Sequence, residues 1–227
     1  MTDSYLQDMR RRLQTCLETG RWETTGDSQQ VDTARYLSPE HWRREQASLF
    51  RDYPLIVARA DDLQAEDQWV AVDVAGTSLL LTRDDTGEVR AYLNACRHRG
   101  MQLLPGGESV CKKRLVCPYH GWTYRGDGGL HALPHETAFP DLNKAEHGLV
   151  RLPCAVHQGF VWVRPRPGTE ALDIARWLGG LDDDFSYFDL AGHLTFAEGR
   201  SRVQANWKLC IDAFLEAYHV RVLHRQT

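Results

Sequence analysis

Two short Cys/His motifs constrain this chain of 227 residues more than any other feature of its sequence. The first is Cys96-x-His98 and the second is Cys117-x-x-His120, with residues 99–116 between them. Each motif pairs one thiol with one imidazole, and four such ligands in two tight loops can hold one metal centre. The fold must therefore present two loops rigidly to each other, which a small β domain does well.

The mixed composition of each motif favours one kind of metal centre. In a Rieske [2Fe–2S] cluster, two Cys bind one iron and two His bind the other. If each loop supplies one thiolate and one imidazole, the loops clasp the cluster from opposite sides. The alternative is a structural Zn²⁺ site, which also accepts two Cys and two His. Zinc knuckles usually place both Cys in one loop and both His in the other, so the alternation favours the iron–sulfur cluster.

Charge and composition exclude several classes of function. The formal net charge is −4 and no basic block stands out, which argues against a general nucleic-acid binder. The first residues are polar and charged, and no apolar run is long enough to span a bilayer. We therefore expect a cytoplasmic protein with no membrane partner. In that reducing compartment the six Cys are predicted to be metal ligands or buried thiols, not three disulfides.

Helical periodicity marks the N-terminal part of the chain. Apolar residues recur at helical spacing over 4–18, which predicts an amphipathic helix there. The polar stretch 20–33 is predicted to be a loop. Ser38 is a good N-cap and Pro39 suits the first helical position, so a second helix is predicted from there to about residue 51.

The pattern then changes to short apolar or alternating stretches separated by turn residues. They predict a small antiparallel β domain with both metal motifs between its strands, closed by the Pro/Gly-rich stretch 165–168. Beyond it, 170–179 is predicted to be helical, 193–204 to form one or two strands, and 205–222 to form a helix. The predicted strands of the β domain are 54–59, 69–74, 78–82, 89–94, 114–117, 121–125, 149–152 and 159–164.

The residues around the two motifs resemble the Rieske domain of ring-hydroxylating oxygenase α subunits. The stretches 94–100 (NACRHRG) and 117–124 (CPYHGWTY) carry the resemblance, which covers roughly residues 38–165. It implies that one iron is bound by the two thiolates and the other by the two imidazoles, the ligands being Cys96, Cys117, His98 and His120. The respiratory type has an extra Cys in each loop, and none is present here, which indicates the oxygenase or ferredoxin type.

Gly100 and Gly121 follow the two histidines and allow two interpretations. Backbone N–H groups around these glycines could donate to the cluster sulfurs and tune the potential of the cluster. The glycines could also simply form tight turns, and the two interpretations are compatible.

Three residues near the end of the chain suggest a second metal site. Glu216 and His219 are three apart and are expected to share a helical face. His219 and His224 are five apart, so the helix must end or distort before His224 if both are to meet one ion. Two imidazoles and a carboxylate are the ingredients of the 2-His-1-carboxylate site of non-haem Fe(II) oxygenases.

The stretch 206–224 resembles the start of the catalytic domain of the same family. The resemblance implies that His219 and His224 bind a mononuclear Fe(II). It also implies that Glu216 is the catalytic residue that bridges this site to a Rieske His of a neighbouring subunit. The family's third iron ligand is an acidic residue far beyond Thr227. We therefore expect a fragment or a truncated product that is inactive alone, unless Asp212 or Glu216 fills the third position.

Together these features predict an α+β protein with three parts. Residues 1–44 form an N-terminal helical arm and residues 45–165 the antiparallel β Rieske [2Fe–2S] domain. Residues 166–227 form the incomplete start of an α+β, helix-grip-like catalytic domain.

The resemblance implies O₂-dependent mono- or dioxygenation of an aromatic or other small organic substrate. Electrons from NAD(P)H would arrive through a ferredoxin, a flavin-dependent reductase or both. A homotrimer is implied because the nearest cluster belongs to an adjacent subunit. The substrate and the presence of a β subunit stay open. The alternative is a Rieske electron-transfer protein without an active oxygenase site.

Overall fold

The computed structural model describes residues 3–21, 29–216 and 218–226. Contacts between Cα atoms divide the chain into two compact units, Met1–Glu45 with Thr195–Thr227, and Gln46–Leu194. The predicted loop over 20–33 lies partly outside the described residues. Within the described ranges, no helix has both the length and the apolar character needed to cross a bilayer.

The N-terminal part of the chain is helical, as predicted. The predicted capping of the second helix is confirmed, because Ser38 Oγ accepts a hydrogen bond from His41 N at 3.3 Å and Pro39 opens the helix. The expected single helix to about residue 51 is instead two, separated at Ser48. The helices are α1 Asp3–Thr19, α2 Ala34–Leu37, α3 Pro39–Ala47 and α4 Leu49–Asp52.

Strands dominate the unit Gln46–Leu194 and pair only in the antiparallel sense. Three short strands were not predicted, because their residues carry no marked alternation of apolar and polar side chains; they are the fifth, eighth and tenth. The strands are β1 Leu55–Arg59, β2 Gln68–Val74, β3 Thr77–Arg83, β4 Val89–Leu93, β5 Ser109–Cys111, β6 Arg114–Val116, β7 Thr123–Arg125, β8 Leu130–Ala132, β9 Arg151–Leu152, β10 Cys154–His157 and β11 Phe160–Val163.

These strands form three sheets. A five-stranded sheet has the order β5-β2-β3-β4-β9 and two three-stranded sheets have the orders β1-β11-β10 and β6-β7-β8. The second metal motif lies between two strands of the sheet β6-β7-β8, since Cys117 follows β6 and His120 precedes β7, whereas the first motif follows β4 of the five-stranded sheet. Short 3₁₀ turns occur at Ala60–Leu63, Glu136–Ala138 and Lys144–Glu146.

The five-stranded sheet is buried on both faces, which explains the unbroken run of leucines in β3. Side chains alternate between the faces of a strand. Leu80 therefore joins one apolar core, which also contains Cys96 and Cys117, while Leu79 and Leu81 join the other. All three leucines are fully buried. The Cys residues of the metal motifs are thus part of the hydrophobic core itself.

The C-terminal part of the chain departs from prediction in two of its predicted elements, and it contains a helix, Gly180–Tyr187, that was not predicted. Residues 193–204 were expected to form strands, but the structure assigns them no regular element. Leu194 and Phe196 are 83% and 102% exposed, so these apolar residues have no sheet face to enter. An alternation of apolar and polar residues leads to a strand only where a partner strand is available to pair with it. The helices here are α5 Ile174–Leu178, α6 Gly180–Tyr187, α7 Trp207–Leu215 and α8 Val220–Leu223.

The second departure concerns the predicted helix over 205–222. Helix α7 ends at Leu215, and Glu216 adopts an extended conformation with φ −124° and ψ 147°. The Glu216 carboxylate accepts hydrogen bonds from the backbone N–H groups of Tyr218 and His219. Side-chain oxygens that bind backbone N–H groups two and three residues later are typical of a helix start. Glu216 therefore interrupts the helix and begins the next turn.

Candidate metal centres

The two Cys/His loops have the same backbone turn. In the first loop, Gly100 N donates to Cys96 O at 2.9 Å, and in the second, Gly121 N donates to Cys117 O at 3.1 Å. Both glycines have φ +71°, a left-handed conformation that glycine adopts without strain. The N–H groups of these two glycines are therefore used in the turns, as the tight-turn interpretation expects. Donation from neighbouring N–H groups to the cluster sulfurs stays a prediction. The two loops are structural repeats that present their Cys at equivalent positions.

The two Cys side chains lie inside and the two His side chains lie near the surface. Cys96 and Cys117 are each 3% exposed, whereas His98 and His120 are half-buried. The imidazole rings lie 4.6 Å apart, centroid to centroid, at an angle of 67°. The four side chains thus divide into a buried thiol pair and an outer imidazole pair, as expected for a cluster with two Cys on one iron and two His on the other.

His98 has a buried nitrogen that fits the role of a metal ligand. Its Nδ1 atom is buried, and among the described residues it has no hydrogen-bond partner. A buried polar atom is normally satisfied, so an orphaned one calls for a ligand or an ion. Burial, with His120 and Arg99 nearby, lowers the pKa of His98 and keeps the ring neutral, as a metal-binding imidazole must be.

The environment of the two buried thiols also fits a metal site. Burial raises the pKa of the Cys96 thiol, and the neighbouring Cys117 thiol adds to the rise. Two adjacent thiols in an apolar core ionise only if a positive centre compensates them, and a bound metal deprotonates a coordinating thiol outright. The donor set and its environment therefore fit a two-iron cluster.

Aromatic side chains hold the histidines in place. The ring of Trp122, which is 3% exposed, stacks on His98 with centroids 5.0 Å apart and an interplanar angle of 7°. The exposed Tyr119 lies 3.7 Å from His120 by ring centroids. These contacts fix the ring planes of both imidazoles.

Tyr124 and Asn94 support the first Cys/His loop through side-chain hydrogen bonds. The sequence alone assigned a role to neither residue. The Tyr124 hydroxyl lies 3.2 Å from Cys96 Sγ and accepts a hydrogen bond from Arg97 N at 3.0 Å. Asn94 donates through Nδ2 to Leu104 O at 2.7 Å. For Tyr124, the sequence pattern that could have indicated this role is the alternation along β7, which turns its side chain inward toward the motifs.

The second candidate centre comprises Glu216, His219 and His224. The Glu216 carboxylate contacts His219 Nδ1, and this hydrogen bond is the main cause of a lowered Glu216 pKa. The imidazoles of His219 and His224 lie at opposite ends of α8, with ring centroids 5.5 Å apart. The helix does end before His224, as predicted, but Glu216 and His219 meet across a helix break and do not share a helical face.

A third protein ligand for this site does not emerge from the described part of the chain. The Asp212 carboxylate accepts a hydrogen bond from the Tyr36 hydroxyl at 2.8 Å. Glu216 is already bound to His219. Over residues 3–21, 29–216 and 218–226, no group of three or more His, Cys, Asp or Glu side chains is arranged to hold one metal ion. A Rieske cluster needs no such group, because each of its irons takes only two protein ligands.

Comparison with known protein families matches both parts of the chain. The model described as the Rieske [2Fe-2S] domain matches residues 54–159. The model described as the ring hydroxylating alpha subunit (catalytic domain) matches residues 187–227. The first range contains both Cys/His loops, and the second contains Glu216, His219 and His224.

Curated relatives are oxygenase subunits. The oxygenase subunit of glycine betaine monooxygenase from Chromohalobacter salexigens is 31% identical over 83% of this chain and 42% of its own length. The oxygenase subunit of carnitine monooxygenase from Escherichia coli (strain K12) is 34% identical over 83% of this chain and 50% of its own. The chain thus spans about half the length of the curated relatives it matches.

Solved structures give the same picture. The quaternary ammonium Rieske monooxygenase CntA, in complex with an inhibitor, matches with a TM-score of 0.78 at 25% identity, over 85% of this chain and 54% of that one. Naphthalene 1,2-dioxygenase from Rhodococcus sp. matches with a TM-score of 0.72 at 26% identity, over 99% of this chain and 50% of that one.

Proposed function

Because this chain belongs to the Rieske oxygenase α-subunit family, we propose that it supplies the electron-delivery domain and part of the oxygen-activating site of a non-haem iron oxygenase. The enzyme would hydroxylate a small organic molecule with O₂ and electrons derived from NAD(P)H. The observation that carries the proposal is the presence of two distinct donor sets in one chain. One consists of the paired Cys/His loops, and the other of Glu216, His219 and His224.

The first donor set would hold the [2Fe–2S] cluster. Cys96 and Cys117 would bind the inner iron and His98 and His120 the outer iron, where the half-buried imidazoles lie nearest to solvent. When bound, this cluster supplies one-electron storage at a potential raised by its imidazole ligands, and the mononuclear iron supplies the site of O₂ activation. Trp122 and Tyr119 keep the two imidazoles in their orientations.

The second donor set would hold Fe(II) through His219 and His224. The Glu216 carboxylate, which contacts His219 Nδ1, would hold the proton on that nitrogen and so leave Nε2 of the ring available as the metal ligand. Glu216 would also bridge to a Rieske His of a neighbouring subunit. Its role is to orient and to connect, not to act as a nucleophile. The third ligand would come from outside the described residues.

We propose a quaternary ammonium compound as the substrate class. Relatives at 31–34% identity are named for glycine betaine, choline and carnitine. The large subunit of anthranilate 1,2-dioxygenase from Acinetobacter baylyi, at 29%, favours an aromatic acid as the second candidate. Oxygen consumption with a panel of both classes separates them. Stimulation only by anthranilate-like acids would contradict the first choice.

The remaining features of the proposal follow from the family. A ferredoxin, a flavin-dependent reductase or both would deliver electrons, and the enzyme would be a cytoplasmic homotrimer. Residues 45–165 would form the Rieske domain, with 1–44 as an N-terminal arm and 166–227 as the start of the catalytic domain.

Iron analysis of the natural full-length protein tests the proposal directly. We expect a brown protein with a Rieske-type visible spectrum and three irons per chain, two in the cluster and one at the second site. Two irons without substrate-dependent oxygen consumption would favour the electron-transfer alternative. A colourless zinc protein would contradict both.

Replacing Glu216 by alanine tests the second donor set. We expect Glu216→Ala to keep the visible spectrum of the cluster, because Glu216 lies outside the matched Rieske range, and to abolish steady-state hydroxylation. Turnover equal to that of the wild type would remove Glu216 from the proposed role.

A further inference from the structure

A polar network joins the N-terminal segment to the helix that leads into the second metal site. Glu45 in α3 is only 8% exposed, which is unusual for a carboxylate. Its Oε1 pairs with Lys208 Nζ at 2.5 Å, and its Oε2 accepts a hydrogen bond from Trp207 Nε1 at 3.0 Å. The hydrogen bond from Lys208 is the main cause of a lowered Glu45 pKa. Both carboxylate oxygens are thus committed to the first turn of α7.

Tyr36 in α2 makes a second connection to the same helix. Its hydroxyl donates to Asp212 Oδ2 at 2.8 Å, and its carbonyl oxygen accepts from Asn206 Nδ2 at 2.9 Å. Asn206 also caps α7, because its Oδ1 accepts from Lys208 N at 3.1 Å. The Lys208 ammonium lies 5.9 Å from the centroid of the Tyr36 ring. Tyr36 and Glu45, both in the helices of the compact unit Met1–Glu45 with Thr195–Thr227, therefore contact α7 at its start and in its middle.

The position of α7 determines where the second donor set begins. Asp212 lies one turn before Glu216, and Glu216 follows directly on the last residue of α7. Glu216 in turn binds His219 through its carboxylate. A rotation or shift of α7 would carry Glu216 with it and change the approach of the His219 ring to a metal. Hydrogen-bonded side chains outside the ligand sphere commonly control metal affinity in this way.

We propose that Glu45 and Tyr36 are positioning residues for the mononuclear iron site. They act through α7 and touch neither iron nor substrate. This inference rests on the proposed function, since it assumes that His219 and His224 bind Fe²⁺. It also makes the N-terminal segment a working part of the iron site and not an independent arm.

Fe²⁺ binding to the natural full-length protein, stripped of its mononuclear iron and still carrying its cluster, tests the inference. Two variants remove single contacts: Glu45→Gln removes the charge, and Tyr36→Phe removes only the hydroxyl. We expect each to weaken Fe²⁺ binding by about three- to tenfold, less than residues hydrogen-bonded directly to a metal ligand, because Glu45 and Tyr36 act through α7. The visible spectrum of the cluster should not change.

Matched controls separate positioning from general loss of stability. Glu40→Gln alters an exposed carboxylate in the first turn of the same helix, and Tyr5→Phe alters an exposed tyrosine in α1. Both should bind Fe²⁺ like the wild type. Lys208→Arg keeps a cation for Glu45 and should retain most of the affinity. If Glu45→Gln does not fold, Tyr36→Phe still decides the question.

The outcomes distinguish this inference from the proposed function. Wild-type protein that takes up no third iron would overturn both. Wild-type protein with three irons, whose Glu45→Gln and Tyr36→Phe variants bind Fe²⁺ as tightly as the controls, would overturn the positioning role alone. Variants that lose thermal stability but keep Fe²⁺ affinity would also contradict it, because that is the result of a merely structural contact.

Discussion

The two compact units use apolar side chains in opposite ways. In the unit Gln46–Leu194, Trp69 and Leu80 are 0% exposed, and the sheets enclose two apolar cores. In the other unit, Phe214 is 90% and Tyr218 95% exposed, close to the second donor set. The first unit therefore builds its site from a packed core, whereas the second presents its site on short helices fixed by polar contacts.

This difference teaches how each site is held. Cys96 and Cys117 belong to the core that Leu80 also enters, so the first centre is as rigid as the packing around it. Glu216, His219 and His224 depend on α7 and α8, of nine and four residues, which are too short to be stable by themselves. We therefore expect mutations in the unit Gln46–Leu194 to act on stability or on the cluster. Mutations in the unit Met1–Glu45 with Thr195–Thr227 should act on binding of the mononuclear iron.

The largest expected effect comes from a Cys of the first centre. Cys117→Ala removes a thiolate ligand, and we expect complete loss of the Rieske visible spectrum and of two irons per chain. Cys111→Ser is the matched control, because Cys111 is exposed at the end of β5 and should be dispensable. Visible absorption and iron analysis measure both. A brown Cys117→Ala protein would disprove the ligand assignment.

A pair of core and surface truncations sharpens the comparison directly. Leu80→Ala should lower the free energy of unfolding by about 2–5 kcal/mol, because it leaves a cavity in a fully buried core. Phe214→Ala, although it removes a larger side chain, should change that free energy by less than about 0.5 kcal/mol, because the ring is exposed. Denaturant unfolding of this chain measures both. Equal losses would break the distinction between the units.

A smaller effect is expected at the hydroxyl of Tyr124. A hydrogen bond from the Tyr124 hydroxyl to Cys96 Sγ, a ligand of the cluster, stabilises the electron added on reduction. Tyr124→Phe should therefore lower the reduction potential of the cluster. A net hydrogen bond of about 0.5–1.5 kcal/mol corresponds to about 20–65 mV for one electron. Tyr92→Phe is the control, since that buried hydroxyl donates to Gly126 O at 3.2 Å instead. A spectroelectrochemical titration with no difference between the two variants would speak against the contact.

The smallest effect concerns pH and the second unit. The Glu45 pKa is lowered from its ordinary value of 4.5, mainly by the hydrogen bond from Lys208. Its charged form therefore stabilises the fold above that value, and the contribution is lost as the pH falls through the lower folded-state pKa. The wild type should exceed Glu45→Gln in melting temperature at neutral pH, and the difference should shrink below about pH 4. A difference that is constant with pH would contradict the ion pair.

Several elements could be predicted because their signals are local. The spacing at Ser38 and Pro39 marked a helix start, and the alternating stretch around β2 marked a strand. The strands β5, β8 and β10 were not predicted, because their residues carry no marked alternation and they depend on a neighbouring strand for their hydrogen bonds. The helix over 205–222 was wrongly predicted as continuous, because apolar periodicity does not report that Glu216 caps the next turn.

The sequence by itself determined the donor atoms. Thiols and imidazoles in alternating pairs define a chemistry wherever they fold together, so the two Cys/His motifs could be predicted from the residues themselves. The set Glu216, His219 and His224 was predicted from the resemblance of the whole stretch 206–224 to a family. Only the tertiary structure decided which polar groups hold those donors. Tyr124 beside Cys96, and Glu45 beside Lys208, are 28 and 163 residues apart. Contacts at such separations arise from packing, and no local pattern encodes them.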